Sequence, residues 1–181
     1  MCGGHGNRLD AGEKPLVDVG GVPMVDRVLD ALDGSVVDGV AAAVTPATPR
    51  TRTHLVDRGV RVLDTPGDGY VSDLDAALDD VGRPAVTVVA DLPLLDPAHD
   101  DAGPAGDRRS VSVCVPATLP ERLGVSADAA FEYDGRRVVP TGLNVAAGTD
   151  DRILVRDDPG LAVNVNYPDD RAVAARLLEG E

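Results

Sequence analysis

The sequence predicts an α/β protein, a single domain with a mostly parallel sheet and helices on both faces. Apolar strand-like stretches alternate with helical patterns through the first half of the chain, an order that is typical of parallel sheets buried between helices. The 181 residues contain no long polar linker, so we expect one domain over residues 1–181 with a continuous core. Such sheets bind ligands at the carboxyl ends of their strands, and we expect the functional site there.

The elements of the first half follow from the spacing of apolar residues. A helix from Pro23 to Gly34 carries its apolar side chains on one face. A buried strand comes next, and the turn signal Thr45-Pro46 ends it. In order, we expect this strand over residues 36–44, a helix over 48–59, a strand from 60, a turn over 65–69, a helix over 70–80 and a strand over 84–91.

The second half is predicted to contain more strands than helices. Residues 96–109 are polar and rich in Pro and Gly, which predicts a loop or a frayed helix. Two strands are expected to meet at Asp134-Gly135, a dipeptide that is typical of hairpin turns. A strand from Ser110 precedes that hairpin, and a last strand over 161–166 leads into a helix that begins at Pro168.

Composition disfavours several classes of function. The net charge of −14 argues against a nucleic-acid partner, because such binding depends on basic surface that neutralises phosphate. We expect no membrane insertion, and the two cysteines form neither a metal spacing nor a disulfide framework, which favours a reducing cytoplasm. An acidic excess with scarce lysine is typical of proteins that stay solvated at high salt, so a halophilic host is favoured. Paired aspartates such as Asp169-Asp170, and the histidines His54 and His99, are expected at the surface.

The rarest polar residues of the chain are one lysine and four asparagines. Lys14 is the single lysine among 17 basic residues, and the asparagines are Asn7, Asn144, Asn164 and Asn166. A compact ammonium on a flexible stem approaches a phosphate as a point charge, whereas the planar guanidinium of arginine is bulkier. These residues lie in short motifs that we expect to converge on one nucleotide site; the alternative is that they are scattered by chance.

The segment GGHGNRL, residues 3–9, is a candidate phosphate-binding loop. Its glycines let backbone amides approach phosphate oxygens without a Cβ in the way. The cations Arg8 and Lys14 are expected to be catalytic, because they would offset the charge that builds up in phosphoryl transfer. The spacing fits neither a Walker A loop nor the GxGxxG pattern of dinucleotide-binding folds, which excludes a dinucleotide oxidoreductase. We assign nucleotide binding to Gly3, Gly4, Gly6 and Asn7, and the role of His5 stays open.

This loop resembles the GGxGxRL...KP signature of nucleotidyltransferases. Further segments follow the order found in the archaeal family of GTP:adenosylcobinamide-phosphate guanylyltransferases, within the MobA-like superfamily. They are EKPL at 13–16, TPATPRT at 45–51, DTPGDGYVSDL at 64–74, VVADLPLL at 88–95, VPTGLNV at 139–145 and NVNYPDD at 164–170. The resemblance implies a Rossmann-like nucleotidyltransferase fold. It also implies transfer of GMP from GTP to a corrinoid phosphate, with Mg²⁺ as cofactor and release of pyrophosphate, in the assembly of coenzyme B12.

Two residues are candidates for holding that magnesium ion. Asp91 closes the strand over 84–91 and resembles the family's metal-binding aspartate; the alternative is an aspartate that caps a turn. Asn166 is the candidate amide ligand, and Asn164, two residues earlier on the same face, is a candidate for contacts with the nucleotide or the loop. One carboxylate, one amide and a triphosphate satisfy a hard cation that keeps several waters.

Further nucleotide contacts are expected from two segments. Asp64 begins a turn that ends at Gly69, and we expect both to lie beside the base, with Asp64 accepting hydrogen bonds from guanine; aspartate is also common in turns for conformational reasons. Gly142 and Asn144 lie within the strand segment 138–146. Gly142 is expected to make room for nucleotide or corrinoid, with a simple bulge as the alternative.

The sequence differs from the family in two respects, and it leaves several alternatives open. Asn7 stands where the family has threonine. The family has an apolar strand before its glycine loop, but this chain begins two residues before Gly3, so we expect the first strand to be missing because the start codon was placed too late. A molybdopterin or sugar-phosphate acceptor, and a nucleotide-binding module without turnover, stay open. The oligomeric state also stays open, with a homodimer as one option.

Overall fold

The computed structural model describes residues 1–4, 9, 12–100 and 109–180, and it confirms the α/β class. The strands are β1 (Asp18–Val19), β2 (Val22–Pro23), β3 (Ala41–Val44), β4 (Arg61–Asp64), β5 (Ala85–Val88), β6 (Ser110–Pro116), β7 (Phe131–Tyr133), β8 (Arg136–Ala146) and β9 (Asp151–Val155). The α-helices are α1 (Met24–Asp33), α2 (Pro49–Asp57), α3 (Tyr70–Val81), α4 (Thr118–Leu123), α5 (Pro159–Ala162) and α6 (Pro168–Leu178). Short 3-10 helices cover Lys14–Leu16 and Pro97–Asp100.

The strands form two main sheets. β3 and β4 pair in parallel, while β5, β8, β6 and β9 pair in that order within a five-stranded sheet that also includes β7. Both β5 and β6 run antiparallel to β8, and β9 runs parallel to β6. These three strands therefore share one direction, and β8 is the strand that runs against them.

Residues Met1 and Cys2 lie between the two sheets. The Cys2 amide donates to the Ala43 carbonyl at 2.8 Å. On the other side, the Ala90 amide donates to the Met1 carbonyl at 3.1 Å, and the N-terminal ammonium donates to the Val88 carbonyl at 2.6 Å. We expected the first strand of the family to be missing, and here Met1 and Cys2 bridge the two sheets and start the glycine loop beside the carboxyl ends of β3 and β5.

The core is built from Val, Leu and Ala on both sides of β3. Val44 packs with Val25 of α1 and Leu55 of α2 in one buried cluster. Ala43 points to the opposite face, since successive strand residues alternate, and it borders a cleft together with Tyr70 of α3. This arrangement agrees with helices on both faces. No helix in the described part of the chain is long and apolar enough to cross a membrane.

The first half and the hairpin agree well with the sequence prediction. The β7–β8 turn has Asp134 at φ 47° and Gly135 at φ 70°, as a tight hairpin requires. The strand expected over 36–44 is shorter, because only Ala41–Val44 pairs with β4. The β1–β2 hairpin, α4 and β9 were not predicted.

The strand predicted over residues 161–166 was wrong. Residues Pro159–Ala162 form α5, whose start is capped by the Asp158 carboxylate, which accepts a hydrogen bond from the Gly160 amide at 2.8 Å. The chain then extends, and the buried side chains of Val163 and Val165 alternate with asparagines. That alternation produced the strand-like pattern, but the segment makes no ladder in the described structure.

Candidate active site

A cleft of about 490 Å³ opens beside the carboxyl ends of β3 and β5, within the range of small-ligand sites. Its walls come from the N-terminal glycines, the EKPL segment, the turns after β3 and β4, the start of α3 and the end of the strand region that contains β5. The residues that line it include Gly3, Gly4, Lys14, Thr45, Gly67, Gly69, Tyr70, Asp73 and Asp91. The location is the one expected for a ligand site in a sheet of this kind.

Three residues that the sequence singled out meet in this region. The Lys14 ammonium donates to the carboxylate of Asp91 and to the side-chain oxygen of Asn166, the latter at 2.7 Å. The Lys14 and Asp91 side chains are 15% and 18% exposed, so the contact is largely shielded from solvent. Asp91 is 77 positions and Asn166 is 152 positions away from Lys14 in the chain, yet both contact its ammonium group.

The oxygens of Asp91 and Asn166 form a donor set that fits a magnesium ion. They are hard ligands, and they already enclose a positive charge. Within the described ranges, no three His, Cys, Asp or Glu side chains cluster as a metal site would. A cation bound by these two residues would therefore take its other ligands from water and from a substrate, as magnesium does at many phosphate sites.

Asn166 is held in place by a buried carboxylate. Asp170 is 1% exposed, and its oxygens accept hydrogen bonds from the backbone amides of Ser126, Asn166 and Tyr167 and from the Ser126 hydroxyl, at 2.7 to 2.9 Å. The expectation that both members of Asp169-Asp170 lie on the surface was therefore wrong for Asp170. A second restraint comes from the Val165 amide, which donates to the Asp91 carbonyl at 2.9 Å and ties the two candidate ligands together.

We expect Asp170→Asn to lower the free energy of unfolding by about 2 kcal/mol, because the amide cannot accept all four hydrogen bonds and leaves buried donors unpaired. Urea unfolding measures this change. Asp169→Asn is the matched control, since Asp169 lies in the same first turn of α6 but is exposed. Equal stabilities of the two variants would contradict the role of Asp170.

Lys14 is positioned by its neighbour Glu13. The Glu13 carboxylate accepts hydrogen bonds from the Arg50 and Thr51 amides, at 2.9 and 2.6 Å, and so caps the start of α2 from a distant segment. The Lys14 amide also donates to the Gly4 carbonyl at 3.3 Å. Partial burial acts to raise the pKa of Glu13, but the hydrogen bonds from Thr51 and Arg50 outweigh it, and the pKa lies below its usual value.

This lowered pKa predicts a pH-dependent contribution to stability. A carboxyl group whose pKa is lower in the folded state stabilises the fold at pH values above its unfolded pKa of 4.5, and this contribution is lost as the pH falls through the folded pKa. We expect Glu13→Gln to cost about 1 kcal/mol at pH 7, with the gap to the wild type closing as the pH falls below 4.5. Urea unfolding across this range measures it, with Glu132→Gln at an exposed position of β7 as control. A gap that stays constant with pH would contradict the capping role.

The glycine loop begins with a close backbone approach at Gly3. A Cβ at Gly3 would lie 2.6 Å from the Thr45 methyl group, so only glycine fits this close against the end of β3. A Cβ at Gly4 would meet the Lys14 stem at 3.4 Å. The candidate residues His5, Gly6, Asn7 and Arg8 lie outside the described residues.

Comparison with known proteins gives the family. A family model described as the MobA-like NTP transferase domain matches residues 1–124. The chain belongs to this family. The protein is therefore a nucleotidyltransferase, as the glycine loop and the EKPL segment had led us to expect.

Similar proteins cover nearly all of the chain. The adenosylcobinamide-phosphate guanylyltransferase of Methanocaldococcus jannaschii is 27% identical over 197 aligned residues, which span 99% of this chain and 95% of that protein. A hypothetical transferase from Thermus thermophilus has a TM-score of 0.70 at 19% identity, covering 94% of this chain and 96% of its own. CMP:2-keto-3-deoxy-manno-octonic acid synthetase, solved in complex with CTP, has a TM-score of 0.67 at 16% identity, covering 98% and 95%. The two structures support the nucleotidyltransferase fold.

Two residues expected to contact the nucleotide, Asp64 and Gly142, have protein neighbours in this structure. Asp64 accepts two hydrogen bonds from the Arg52 guanidinium, at 2.7 and 3.0 Å, and these hold its pKa below the usual range. Gly142 has φ 81°, and a Cβ there would lie 2.3 Å from a Val89 methyl group. The Val89 side chain occupies the space beside Gly142. Gly142 also lies where the pairing of β8 with β6 shifts register, which is the geometry of a β-bulge.

Two further asparagines of the described chain, Asn144 and Asn164, lie in or beside the five-stranded sheet. Asn144 lies within β8, opposite Thr87 of β5 and Ser112 of β6. Asn164 donates its side-chain amide to the Thr141 carbonyl at 3.0 Å, beside the bulge. Asn164 therefore fixes the segment that carries Asn166 against the sheet, and its expected contact with the nucleotide or the loop stays a prediction.

Sequence reasoning missed three residues of the cleft wall. Asp73 is buried in the first turn of α3, and its carboxylate accepts a hydrogen bond from the Gly67 amide at 2.7 Å, so it shapes the turn before Gly69. Tyr70 borders the cleft, and burial, with a smaller effect from Asp91, raises the pKa of its phenol. Thr45 has a buried hydroxyl oxygen without a hydrogen-bond partner in the described structure. Asp73 lies within the motif at 64–74, four residues after Gly69, so the motif could have marked it as a candidate.

The two remaining histidines form hydrogen bonds with carboxylates, although the sequence suggested solvated side chains. His54 of α2 contacts the Asp26 carboxylate of α1 at 2.7 Å. His99 contacts the Asp158 carboxylate at 3.0 Å and accepts a hydrogen bond from the Asp96 amide. Both pairs join separate elements, so they stabilise the fold outside the cleft.

Proposed function

We propose that the protein transfers GMP from GTP to adenosylcobinamide phosphate, giving adenosylcobinamide-GDP and pyrophosphate. The observation that carries the proposal is the convergence of Lys14, Asp91 and Asn166 beside the glycine-lined cleft. The similarity to the Methanocaldococcus jannaschii guanylyltransferase over 99% of the chain supports this choice of nucleotide and acceptor.

The reaction is a single in-line displacement. A phosphate oxygen of the acceptor bonds to the α-phosphorus of GTP, and the bond from that phosphorus to the bridging oxygen of pyrophosphate breaks, with its electron pair leaving on pyrophosphate. The attacking phosphate is already ionised near neutral pH, so no general base is needed. The protein contributes alignment of two anionic groups and compensation of the charge on the leaving group.

The residues of the cleft divide this work. The Gly3 and Gly4 backbone borders the cleft, where amides can approach phosphate oxygens, with Gly6 and Asn7 proposed to continue this contact. Lys14, and Arg8 by proposal, offset charge on the phosphates. Asp91 and Asn166 would hold Mg²⁺, which supplies Lewis-acid stabilisation of phosphate charge when bound. The unpaired buried hydroxyl of Thr45 favours a ligand contact at the cleft wall.

Pyrophosphate release tests the proposal directly. The assay combines GTP, ATP or CTP with adenosylcobinamide phosphate, a sugar 1-phosphate, molybdopterin or no acceptor, with Mg²⁺ and high KCl. We expect release with GTP and the corrinoid phosphate together. Release that follows another acceptor or nucleotide would contradict the assigned substrates, and GTP binding without release under every condition would indicate a binding module.

The buried thiols of Cys2 and Cys114, without a disulfide, are consistent with the cytoplasmic location that we propose.

A further inference from the structure

The Lys14 ammonium has two roles in the proposed site that cannot both be fulfilled at once. The Lys14 ammonium contacts both oxygens proposed to hold a divalent ion, the Asp91 carboxylate and the Asn166 amide oxygen. The reaction requires the same ammonium at the phosphates. A divalent ion and an ammonium cannot both bind the same carboxylate and amide oxygens at the same time, because the two cations repel each other and compete for these ligands.

The structure fixes the backbone of Lys14 but leaves its stem free to change direction. Glu13 ties the preceding residue to the start of α2, and the Lys14 amide donates to the Gly4 carbonyl. The stem runs past Gly4, which presents no side chain to it. Lysine has four rotatable bonds and a point charge, so its ammonium can relocate while the backbone stays in place.

We propose that Lys14 is the resident counter-cation of the metal site and that a divalent ion displaces it toward the triphosphate. This inference rests on the proposed function. In the absence of nucleotide, the ammonium neutralises Asp91 and fills the site. The triphosphate offers the ammonium a new anionic partner, so nucleotide and metal bind cooperatively, and a lone divalent ion binds weakly because it must expel a cation that has nowhere favourable to go.

Titration with Mn²⁺, with unbound metal followed by electron paramagnetic resonance, tests the displacement without any turnover. Lys14→Met removes the competing charge and keeps the apolar stem. Lys14→Gln is a second variant that retains a hydrogen-bond donor for Asp91, so the test does not depend on the folding of one variant. Arg122→Met, at an exposed position of α4, removes an equal charge as the control. Asp91→Asn defines the metal that binds at other acidic surfaces.

Without nucleotide, we expect the two Lys14 variants to bind Mn²⁺ at the Asp91-dependent site about 10-fold more tightly than the wild type or Arg122→Met. With GTP, wild-type affinity should rise and the difference should narrow. Equal affinities of the wild type and both Lys14 variants, at a site that Asp91→Asn removes, would overturn the displacement and leave the proposed function intact. Absence of an Asp91-dependent site even with GTP would overturn the metal assignment and the inference with it.

Discussion

Lys14→Ala is expected to lower the rate of GMP transfer by about 10²–10³-fold, the usual cost of removing one group that stabilises charge in a transition state. The effect on stability should be much smaller. The ammonium makes two hydrogen bonds at a partly exposed site, so we expect a change of about 1 kcal/mol, which corresponds to roughly 2–4 °C in Tm. Pyrophosphate release and thermal melting on the same preparation measure both.

Lys14→Arg is the informative companion to this variant. Arginine keeps the charge but replaces the compact ammonium with a planar group that is larger than the position between Asp91 and Asn166 requires. We therefore expect it to restore only part of the lost rate. A folded Lys14→Ala protein with wild-type turnover would contradict the catalytic role.

Asp91→Asn is expected to lower kcat/KM by about 10³-fold, because the carboxylate supplies the charge that holds the divalent ion and a neutral amide oxygen does not. The substitution keeps the shape of the side chain. It also leaves the backbone carbonyl that accepts from the Val165 amide, so the fold around Asn166 should persist. Steady-state kinetics over a range of Mg²⁺ concentrations give the size of the effect.

Asp33→Asn serves as the matched control, since Asp33 lies exposed at the end of α1 and the change in net charge is the same. We expect it to leave both the rate and the metal dependence unchanged. If Asp91→Asn behaved like this control, the cation would have to be held elsewhere, and the mechanism proposed above would lose its metal ligand.

Much of the architecture was accessible from the sequence because the signals were local. Apolar periodicity predicted α1 and α3 closely, and Asp134-Gly135 predicted the β7–β8 hairpin because few residue pairs adopt its backbone conformation easily. The same reasoning failed at residues 161–166. There, alternation of valine and asparagine reports an extended segment with one buried side, but whether a neighbouring strand pairs with it depends on distant parts of the chain.

In the candidate site, too, local signals identified candidate residues, whereas their partners depended on the folded structure. Lys14, Asp91 and Asn166 were chosen from residue type and motif, and the structure brings them into contact, while their roles remain predictions. Asp64, chosen by similar reasoning, is paired with Arg52 of α2 in this structure, and its contact with the base stays a prediction. A carboxylate at the end of a strand satisfies both interpretations, so its sequence position cannot identify the partner.

Gly142 and Asp170 illustrate what a linear pattern leaves open. A glycine within a strand indicates that something approaches its backbone closely, and the approach that the structure shows is that of the Val89 side chain. Asp170 belongs to a pair of adjacent aspartates with the same local signals, and only the packing of α6 against the segment around Ser126 buries one of them.

The sequence by itself determined the fold class, the position of the glycine loop and the candidate residues for binding phosphate and metal, because these depend on local periodicity, backbone freedom and side-chain chemistry. The tertiary structure alone decided which of those residues meet. It placed one ammonium between Asp91 and Asn166 and used Glu13 and Asp170 to hold the segments that carry them. Hydrogen bonds and ion pairs act over a few ångströms, and chain folding sets those distances between residues far apart in sequence.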